Sequence, residues 1–332
     1  MSESILNIEG LKTYFFTEAG VVKAVDNVSF NLRKGESLGL VGESGSGKTV
    51  TALSVLRIVP RPGKIIEGKI EFNGNDLLKK TDEEMRKIRG GDIAIIFQDP
   101  SSSLNPVYTI ETQLGDIISA HQNLSKEKVK EKVIELLKLV GLPDAETRMH
   151  EYPHQFSGGM KQRVAIARAL ACEPKLLFAD EPTTNLDVTI QAQVLDLLND
   201  LKKKLGMSLV MITHDMGIIA EMTARIVVLY AGCVCEIART HDLFELPRHP
   251  YTAALLAAVP RLDMRKTLRV IPGNIPNLIE PPSGCRFHPR CDYATEVCEK
   301  VVPILQQVGP DHFVACHEWR NISLKGERAS HE

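Results

Sequence analysis

The chain has 332 residues, of which 43% are hydrophobic and 25% are charged, and its formal net charge is −2. This composition is typical of a folded globular protein of about two domains, and the weak net charge excludes a general attraction to nucleic acid. No apolar run reaches the roughly 18 to 20 residues that a transmembrane helix requires, and residues 1–10 carry acidic side chains where a secretory signal would carry basic ones. We therefore expect a chain that stays in the cytosol and does not span a membrane.

The N-terminal part of the chain changes from one periodicity to another. Residues 1–30 alternate apolar and polar positions, which predicts short antiparallel strands joined by a turn at Glu18–Gly20. The next apolar run, SLGLVG, predicts a buried strand that leads through a glycine-rich loop into a helix over TALSVLRIV. This order of strand, loop and helix is typical of an α/β unit.

The loop of this unit, Gly42 to Thr49, fits the pattern G-x-x-x-x-G-K-[ST] in the strand-to-helix context that the pattern requires. Its glycines allow successive N–H groups to face one concavity, and the following helix start adds positive potential, so anionic phosphates fit there. Lys48 would contact the β- and γ-phosphates, and the Thr49 hydroxyl would bind Mg²⁺. The alternative is a glycine turn with a surface lysine. The loop predicts ATP and Mg²⁺ as cofactors, with contacts from Gly42, Ser44, Gly45, Ser46, Gly47, Lys48, Thr49 and Val50.

The rest of the chain up to about residue 240 alternates helices and strands. Residues 100–165 are mostly helical in pattern, and LSKEKVKEKVIELLKLVGL has apolar positions at three- and four-residue spacing before a stop at Gly141. Two further buried strands, KLLFAD and LVMITHD, flank a helix over VTIQAQVLDLLNDLKKKLG. This alternation predicts a parallel sheet with right-handed crossovers, and hence an α/β core.

The buried strand KLLFADE ends in two adjacent carboxylates, Asp180 and Glu181, at the sheet edge where ligands of α/β folds gather. Asp180 is predicted to belong to the Mg²⁺ shell. Glu181 is predicted to orient or deprotonate the attacking water, because general-base chemistry requires an acid besides the one that the metal holds. The alternative interpretation is a strand that ends in a polar turn.

Five further motifs can be recognised in the chain. Phe156-Ser157-Gly158-Gly159-Met160, which leads into KQRVAIARAL, resembles the signature LSGGQ of one family, the ATP-binding subunits of ABC transporters, and the motifs occur in that family's order. Gln98 after IAIIF resembles the Q-loop, Asn185-Leu186-Asp187 the D-loop, and His214 in MITHD the switch histidine. Phe15 lies where the family stacks an aromatic ring on adenine. The resemblance extends over essentially the whole chain.

The resemblance implies an ATPase whose site is shared between two subunits, since in this family the signature of one subunit covers the ATP on its partner's phosphate loop. Its implied catalytic residues are Glu181, His214 and Gln98. The Mg²⁺ ligands would be Thr49, Gln98 and Asp180, and further nucleotide contacts would come from Phe15, Ser157, Gly158, Gly159 and Asp187. Met160 replaces the usual glutamine and Asn185 the commoner alanine. Neither change removes a catalytic group, so we expect a hydrolytically competent subunit.

The expected fold is an α/β P-loop NTPase core of the ABC ATPase type with three additions, namely an antiparallel β subdomain, a helical subdomain and a small loop-rich C-terminal metal-binding domain. Residues 1–98 and 166–240 would form the RecA-like nucleotide-binding core with the N-terminal β subdomain, and residues 99–165 the helical subdomain with the signature. Residues 241–332, which contain ten of the 18 prolines, would form a C-terminal regulatory or iron–sulfur region.

Four cysteines in this C-terminal region, Cys285, Cys291, Cys298 and Cys316, have the spacing C-x₅-C-x₆-C-x₁₇-C. A loop-rich region with little apolar content needs stabilisation beyond its small core, for example by a bound metal. Four thiolates suit either a [4Fe–4S] cluster or Zn²⁺. The segments GCRFHPRC, HPYTAALLAAVP and VIPGNIPNL resemble the C-terminal region of dipeptide and oligopeptide importer ATPases. Some of these carry an iron–sulfur cluster here, so the resemblance favours [4Fe–4S] over zinc or unligated thiols. His288 and His317 could substitute as ligands, but each is expected to be an ordinary loop residue.

The function that the resemblance implies is ATP hydrolysis that energises uptake of di- or oligopeptides. Its partners would be a second ABC ATPase subunit, two membrane permease subunits and, indirectly, an extracytoplasmic peptide-binding protein, at the cytoplasmic face of the membrane and without nucleic acid. A heterodimer is favoured over a homodimer. The alternatives are nickel or an oligosaccharide as cargo, a soluble ABC ATPase that acts on DNA or ribosomes, and a redox or iron sensor.

Overall fold

The computed structural model describes residues 3–184, 186–258 and 271–324. The chain forms two compact units. The first unit comprises Met1–Lys79 and Met211–Glu332, and the second comprises Lys80–Val210. The chain therefore leaves the first unit once, builds the second, and returns.

The secondary structure elements are numbered in chain order. The strands are β1 (Ser4–Thr17), β2 (Gly20–Arg33), β3 (Ser37–Val41), β4 (Gly63–Phe72), β5 (Asn75–Asp76), β6 (Ile93–Ile96), β7 (Leu176–Asp180), β8 (Ser208–Thr213), β9 (Arg225–Tyr230), β10 (Cys233–Arg239), β11 (Gln306–Gly309) and β12 (His312–Val314). The α-helices are α1 (Lys48–Val55), α2 (Asp82–Ile88), α3 (Pro100–Ser103), α4 (Ile110–His121), α5 (Lys126–Leu139), α6 (Ala145–Arg148), α7 (Gly158–Leu170), α8 (Val188–Leu205), α9 (Met216–Met222), α10 (Thr240–Glu245), α11 (Pro250–Ala257) and α12 (Glu296–Lys300).

The first unit begins with an antiparallel sheet of order β2-β1-β4-β5. Leu6 and Ile8 of β1 are buried at alternate positions, and a register shift after Ile8 moves the buried face to Leu11 and Thr13. β1 and β2 are paired up to Thr17 and Gly20, which confirms the predicted antiparallel strands and the turn between them.

A second, mixed sheet of the first unit has the order β11-β12-β10-β9-β3. β3 and β9 run parallel, whereas β9, β10, β12 and β11 pair antiparallel. All five residues of β3 are buried, as the apolar run SLGLVG predicts. Helix α9 packs closely on β3 at Gly39, where a Cβ would lie 2.9 Å from the Ile219 Cδ1 atom. The hairpin β11–β12 shows that part of the proline-rich C-terminal region extends this sheet, which the sequence analysis did not predict.

The second unit contains the parallel pair β6–β7, with Ile93 opposite Leu176, and helices α2 to α8. Helix α7 lies centrally, since it contacts β6 and helices α3, α4, α5 and α8. Ser125 caps the N-terminus of α5, which ends at Leu139 just before Gly141, where φ is 72°. Strand β8 crosses the boundary between the units. In the part of the chain that the structure describes, we find no helix with the length and apolar character needed to cross a bilayer.

Candidate active site

The phosphate loop joins β3 to α1, and two of its glycines are required by close packing. Gly42 has φ 152°, and a Cβ there would overlap the Leu229 carbonyl oxygen. Gly47 has φ 101°, and a Cβ there would overlap the Ala24 carbonyl oxygen. Any other residue would be strained in backbone as well as in packing. The glycines of the pattern therefore serve the fold of the loop itself.

Lys48 is the first residue of α1, and its side chain lies over the loop. Its Nζ atom donates hydrogen bonds to the backbone oxygens of Gly42, at 2.8 Å, and Glu43, at 3.0 Å. The residue is only 7% exposed, whereas the next residue, Thr49, is exposed. The ammonium group thus stands inside the concavity that the loop forms, and the Thr49 hydroxyl is accessible at its edge. This is the arrangement that phosphate and Mg²⁺ binding by the loop requires.

Two other predicted residues belong to the same unit as the phosphate loop. Phe15 is half-buried in β1, and its ring lies against Gly63, where a Cβ would be 2.8 Å from the Phe15 Cε1 atom. His214 is exposed and follows β8 directly. Asp215, the next residue, caps helix α9 through its side chain. The roles of Phe15 with adenine and of His214 with the γ-phosphate stay predictions.

The carboxylates at the end of β7 belong to the second unit. Asp180 is buried, with 5% exposure, at the end of the strand, and Glu181 has φ 45°. Gln98 Nε2 donates to Glu181 Oε2 at 2.7 Å, and Thr184 Oγ1 donates to the same oxygen at 3.0 Å. The structure therefore brings together two predicted catalytic residues that are 83 positions apart. Thr184 was not predicted as a partner of Glu181. A hydroxyl residue three positions after a carboxylate, in a turn, is a pattern from which this hydrogen bond could have been predicted.

The signature and the D-loop each contain a helix start. Ser157 caps α7, since its Oγ atom accepts a hydrogen bond from the Met160 N–H at 3.3 Å. Asp187 caps α8 in the same way, through the Ile190 N–H at 3.0 Å. Gly159 packs against Ile190, where a Cβ would lie 2.9 Å from the Cγ2 atom. Helix capping and close packing therefore explain why serine, aspartate and glycine occur at these positions. The contacts of these residues with a nucleotide stay predictions. Asn185 lies outside the described residues.

The four C-terminal cysteines line one small pocket together with His249, Phe287 and Tyr293. Yet no three His, Cys, Asp or Glu side chains of the described ranges are placed so that they could hold a metal ion between them. Burial raises the pKa of Cys291 to about 11 and that of Cys316 to about 12. The donor set fits a thiolate-bound group, and the metal-binding role of this region stays a prediction.

The two histidines considered as substitute ligands have other partners. His288 Nδ1 lies 2.9 Å from the Cys285 carbonyl oxygen, and His317 Nε2 lies 2.8 Å from that of Val301. Both rings therefore stabilise loop backbone in this structure.

Comparison with known proteins assigns the chain to a class. Residues 25–184 match the family described as ABC transporter, and residues 235–298 match the oligopeptide/dipeptide transporter, C-terminal region. The ATP-binding cassette MJ0796, solved as a dimer in a post-hydrolysis state bound to ADP and Pi, superimposes with a TM-score of 0.64 and 28% identity. The match covers 71% of this chain and 98% of the cassette.

Two sequence relatives extend over almost the whole chain. The dipeptide transport ATP-binding protein DppD of Bacillus subtilis is 46% identical over 99% of this chain and 97% of its own length. DppD of Escherichia coli is 46% identical over 95% and 96%, respectively. The chain belongs to the ABC transporter family, among its ATP-binding proteins with an oligopeptide/dipeptide transporter C-terminal region. The predicted family is thus confirmed, and the chain is an ATPase subunit that couples ATP hydrolysis to transport.

Proposed function

We propose that the chain hydrolyses ATP to drive uptake of di- or oligopeptides through separate membrane permease subunits. The observation that carries the peptide cargo is the C-terminal match at residues 235–298, together with relatives that are named for dipeptide transport at 46% identity over nearly the full chain. Nickel and oligosaccharides, the other cargoes considered, have no such support.

An uptake assay tests which cargo is transported. We expect the transporter that co-purifies with this chain from native membrane, reconstituted in vesicles with its binding protein, to take up a labelled dipeptide when ATP is supplied. Uptake should stop when only this chain carries Lys48→Ala, whereas a Lys300→Ala variant should transport normally, since Lys300 forms an exposed pair with Glu296. Uptake of Ni²⁺ or an oligosaccharide without dipeptide uptake would contradict the assignment.

In the proposed mechanism, Lys48 binds the β- and γ-phosphates. Thr49, Gln98 and Asp180 would hold Mg²⁺, which would supply charge neutralisation on the transferred phosphoryl group. Glu181 accepts a proton from the attacking water, and the hydrogen bonds from Gln98 and Thr184 fix the orientation of its carboxylate. In the same subunit, Phe15 would contact adenine and His214 would contact the γ-phosphate.

The complete site requires a second subunit. Ser157, Gly158 and Gly159 begin helix α7, where N–H groups and the helix dipole attract an anion. We infer that they cover the ATP held by the phosphate loop of a neighbouring ABC ATPase, with Asp187 beside it. A heterodimer with a related ATPase is our preferred pairing, and a homodimer is the alternative.

The partners follow from this arrangement. ATP binding would close the dimer, and hydrolysis would open it. The helical subdomain would pass this movement to two permease subunits, with the chain at the cytoplasmic face of the membrane. An extracytoplasmic binding protein would deliver the peptide from the other side. Nucleic acid has no part in this mechanism.

Cys285, Cys291, Cys298 and Cys316 are proposed to hold a [4Fe–4S] cluster, which stabilises the C-terminal region. All four line the same pocket, and four cysteine thiolates are the usual ligand set of such a cluster. Zn²⁺ is the alternative.

Metal analysis tests this proposal. Anaerobically purified protein should be brown and contain about four iron and about four sulfide per chain. Cys298→Ser should lower both contents sharply, because Cys298 is buried in the pocket. Cys172→Ser is the matched control, since Cys172 lies in the second unit near the Ile117 carbonyl oxygen. A colourless preparation that contains zinc would contradict the cluster.

A further inference from the structure

Glu43, the second residue of the phosphate loop, forms an ion pair with the C-terminal region. Arg290 Nη1 lies 2.7 Å from Glu43 Oε2, and Nη2 lies 3.1 Å from Oε1, so the guanidinium binds both carboxylate oxygens. The Arg290 side chain is only 6% exposed, and that of Glu43 is 25% exposed. A bidentate, largely buried ion pair of this kind fixes the orientation of the carboxylate as well as neutralising its charge.

The remaining donors of Arg290 hold it in place. Its Nε atom donates to the Pro272 carbonyl oxygen at 2.8 Å, and Nη1 also donates to the Tyr230 hydroxyl at 3.2 Å. The guanidinium carbon lies 5.7 Å from the centre of the Tyr230 ring. Contacts on several sides therefore fix the Arg290 side chain, and its ion pair in turn fixes the position of the Glu43 carboxylate.

A second contact reaches the backbone of the same loop residue. The Glu43 N–H donates to the Tyr251 hydroxyl at 2.9 Å. Tyr251 is fully buried in α11 and packs against Tyr230 and Phe287, with ring centres 4.6 Å and 5.3 Å away. Lys48 donates to the carbonyl oxygen of the same Glu43. The side chain and both backbone groups of Glu43 are therefore engaged, and two of these three contacts come from the C-terminal region.

The turn that presents Tyr251 is itself fixed by a buried acid. Glu236, which has no exposed surface, accepts hydrogen bonds from the backbone N–H groups of Arg248 and His249, at 2.7 Å and 3.0 Å. His312 Nε2 lies 2.7 Å from the same carboxylate. His249 Nδ1 then accepts the Tyr251 N–H at 3.0 Å and so caps α11. These contacts leave Tyr251 little freedom to move away from the loop.

Another arginine of the same segment, Arg286, binds residues that pack next to the loop. Arg286 donates to the Ala231 carbonyl oxygen and to the Asp26 carboxylate. The adjacent residue, Gly232, donates its N–H to the Ser46 carbonyl oxygen at 3.0 Å. Residues 286–290, which lie between the first two cysteines of the pocket, thus contact the loop directly at Glu43 and approach Ser46 through the neighbouring Gly232.

We propose that Arg290 and Tyr251 are positioning residues for ATP binding, which hold the phosphate loop at Glu43 and neutralise its carboxylate. Without the guanidinium, Glu43 would add an uncompensated negative charge to a loop that binds phosphates, and like charges repel. The affinity for ATP is therefore set partly by the C-terminal region, through residues that do not touch the nucleotide.

Equilibrium binding of a fluorescent ATP analogue to the full chain tests this proposal. We expect Arg290→Gln to raise the Kd about tenfold, within the range of about 5- to 150-fold that couplings between sites usually span. Arg290→Lys should give an intermediate Kd, because it keeps the charge and loses the two-pronged geometry. The KM for ATP should rise by a similar factor, with kcat within about twofold of the native value. Arg239→Gln, which breaks an exposed pair with Asp311, should leave the Kd unchanged.

The double variant distinguishes charge neutralisation from a general loss of structure. If Arg290 acts through Glu43, adding Glu43→Gln to Arg290→Gln removes the unpaired charge and restores most of the affinity. A double variant that binds as weakly as Arg290→Gln, or more weakly, would overturn the proposal. So would an unchanged Kd in Arg290→Gln. Should Arg290→Gln fail to fold, the Kd of Arg290→Lys decides, and an unchanged Kd in that variant would overturn the proposal. Failure of all variants and the native chain to bind the analogue would instead refute the ATP site.

Discussion

Replacing Glu181 by glutamine is expected to reduce ATP hydrolysis by about 10²- to 10⁴-fold, the usual contribution of a general base. Glutamine keeps the shape of the side chain and can still bond to Gln98 and Thr184, so ATP should bind with native affinity. The variant separates binding from chemistry, because only the proton acceptor is lost. Phosphate release measured under single-turnover conditions, beside the Kd for ATP, checks both halves of the prediction.

The matched control is Glu173→Gln in the same unit. Glu173 is an exposed acid that pairs with Lys132 at 3.3 Å, and it should not affect hydrolysis. If Glu181→Gln hydrolysed ATP at the native rate, Glu181 could not be the base.

Loss of the phosphate-loop lysine should have the other large effect. Lys48→Ala removes the cation that would contact two phosphates, and each hydrogen bond to a charged group contributes about 1.5–3 kcal/mol. The Kd for ATP should therefore rise by at least about 100-fold. Isothermal titration calorimetry with MgATP measures this directly.

Stability must be measured alongside, because Lys48 also binds the backbone oxygens of Gly42 and Glu43. Thermal unfolding should show that the variant is folded at the temperature of the titration. Lys300→Ala, which removes an exposed lysine of the same unit, is expected to bind ATP like the native chain. Near-native binding by Lys48→Ala would show that the loop does not hold the phosphates.

Local patterns predicted much of the fold. Alternation in residues 1–30 indicated β1 and β2, and the apolar run SLGLVG indicated the fully buried β3. The phosphate loop was predictable because Gly42 and Gly47 adopt backbone conformations that few other residues accept. Helix α5 was predictable because its apolar spacing lies between a capping serine and Gly141. Each of these signals is contained within a short stretch of chain.

Contacts between distant residues could not be predicted in this way. The hydrogen bond between Gln98 and Glu181 joins positions 83 apart, and the Arg290–Glu43 pair joins positions 247 apart. The sequence around each of these four residues does not identify its partner, because tertiary packing determines which residues meet. The cysteine spacing likewise indicated a set of sulfur ligands but not their arrangement, which depends on how residues 271–324 fold around the pocket.

The central claim is that ATP is enclosed between the Lys48 loop of one subunit and the Ser157 helix start of its neighbour. The mass of the Glu181→Gln protein in solution, alone and with the ATPase that co-purifies with it, tests this most directly. With MgATP, light scattering should show about twice the single-chain mass of 36.8 kDa, and Ser157→Glu should abolish the increase. A native chain that binds and turns over ATP as a strict monomer would contradict the claim.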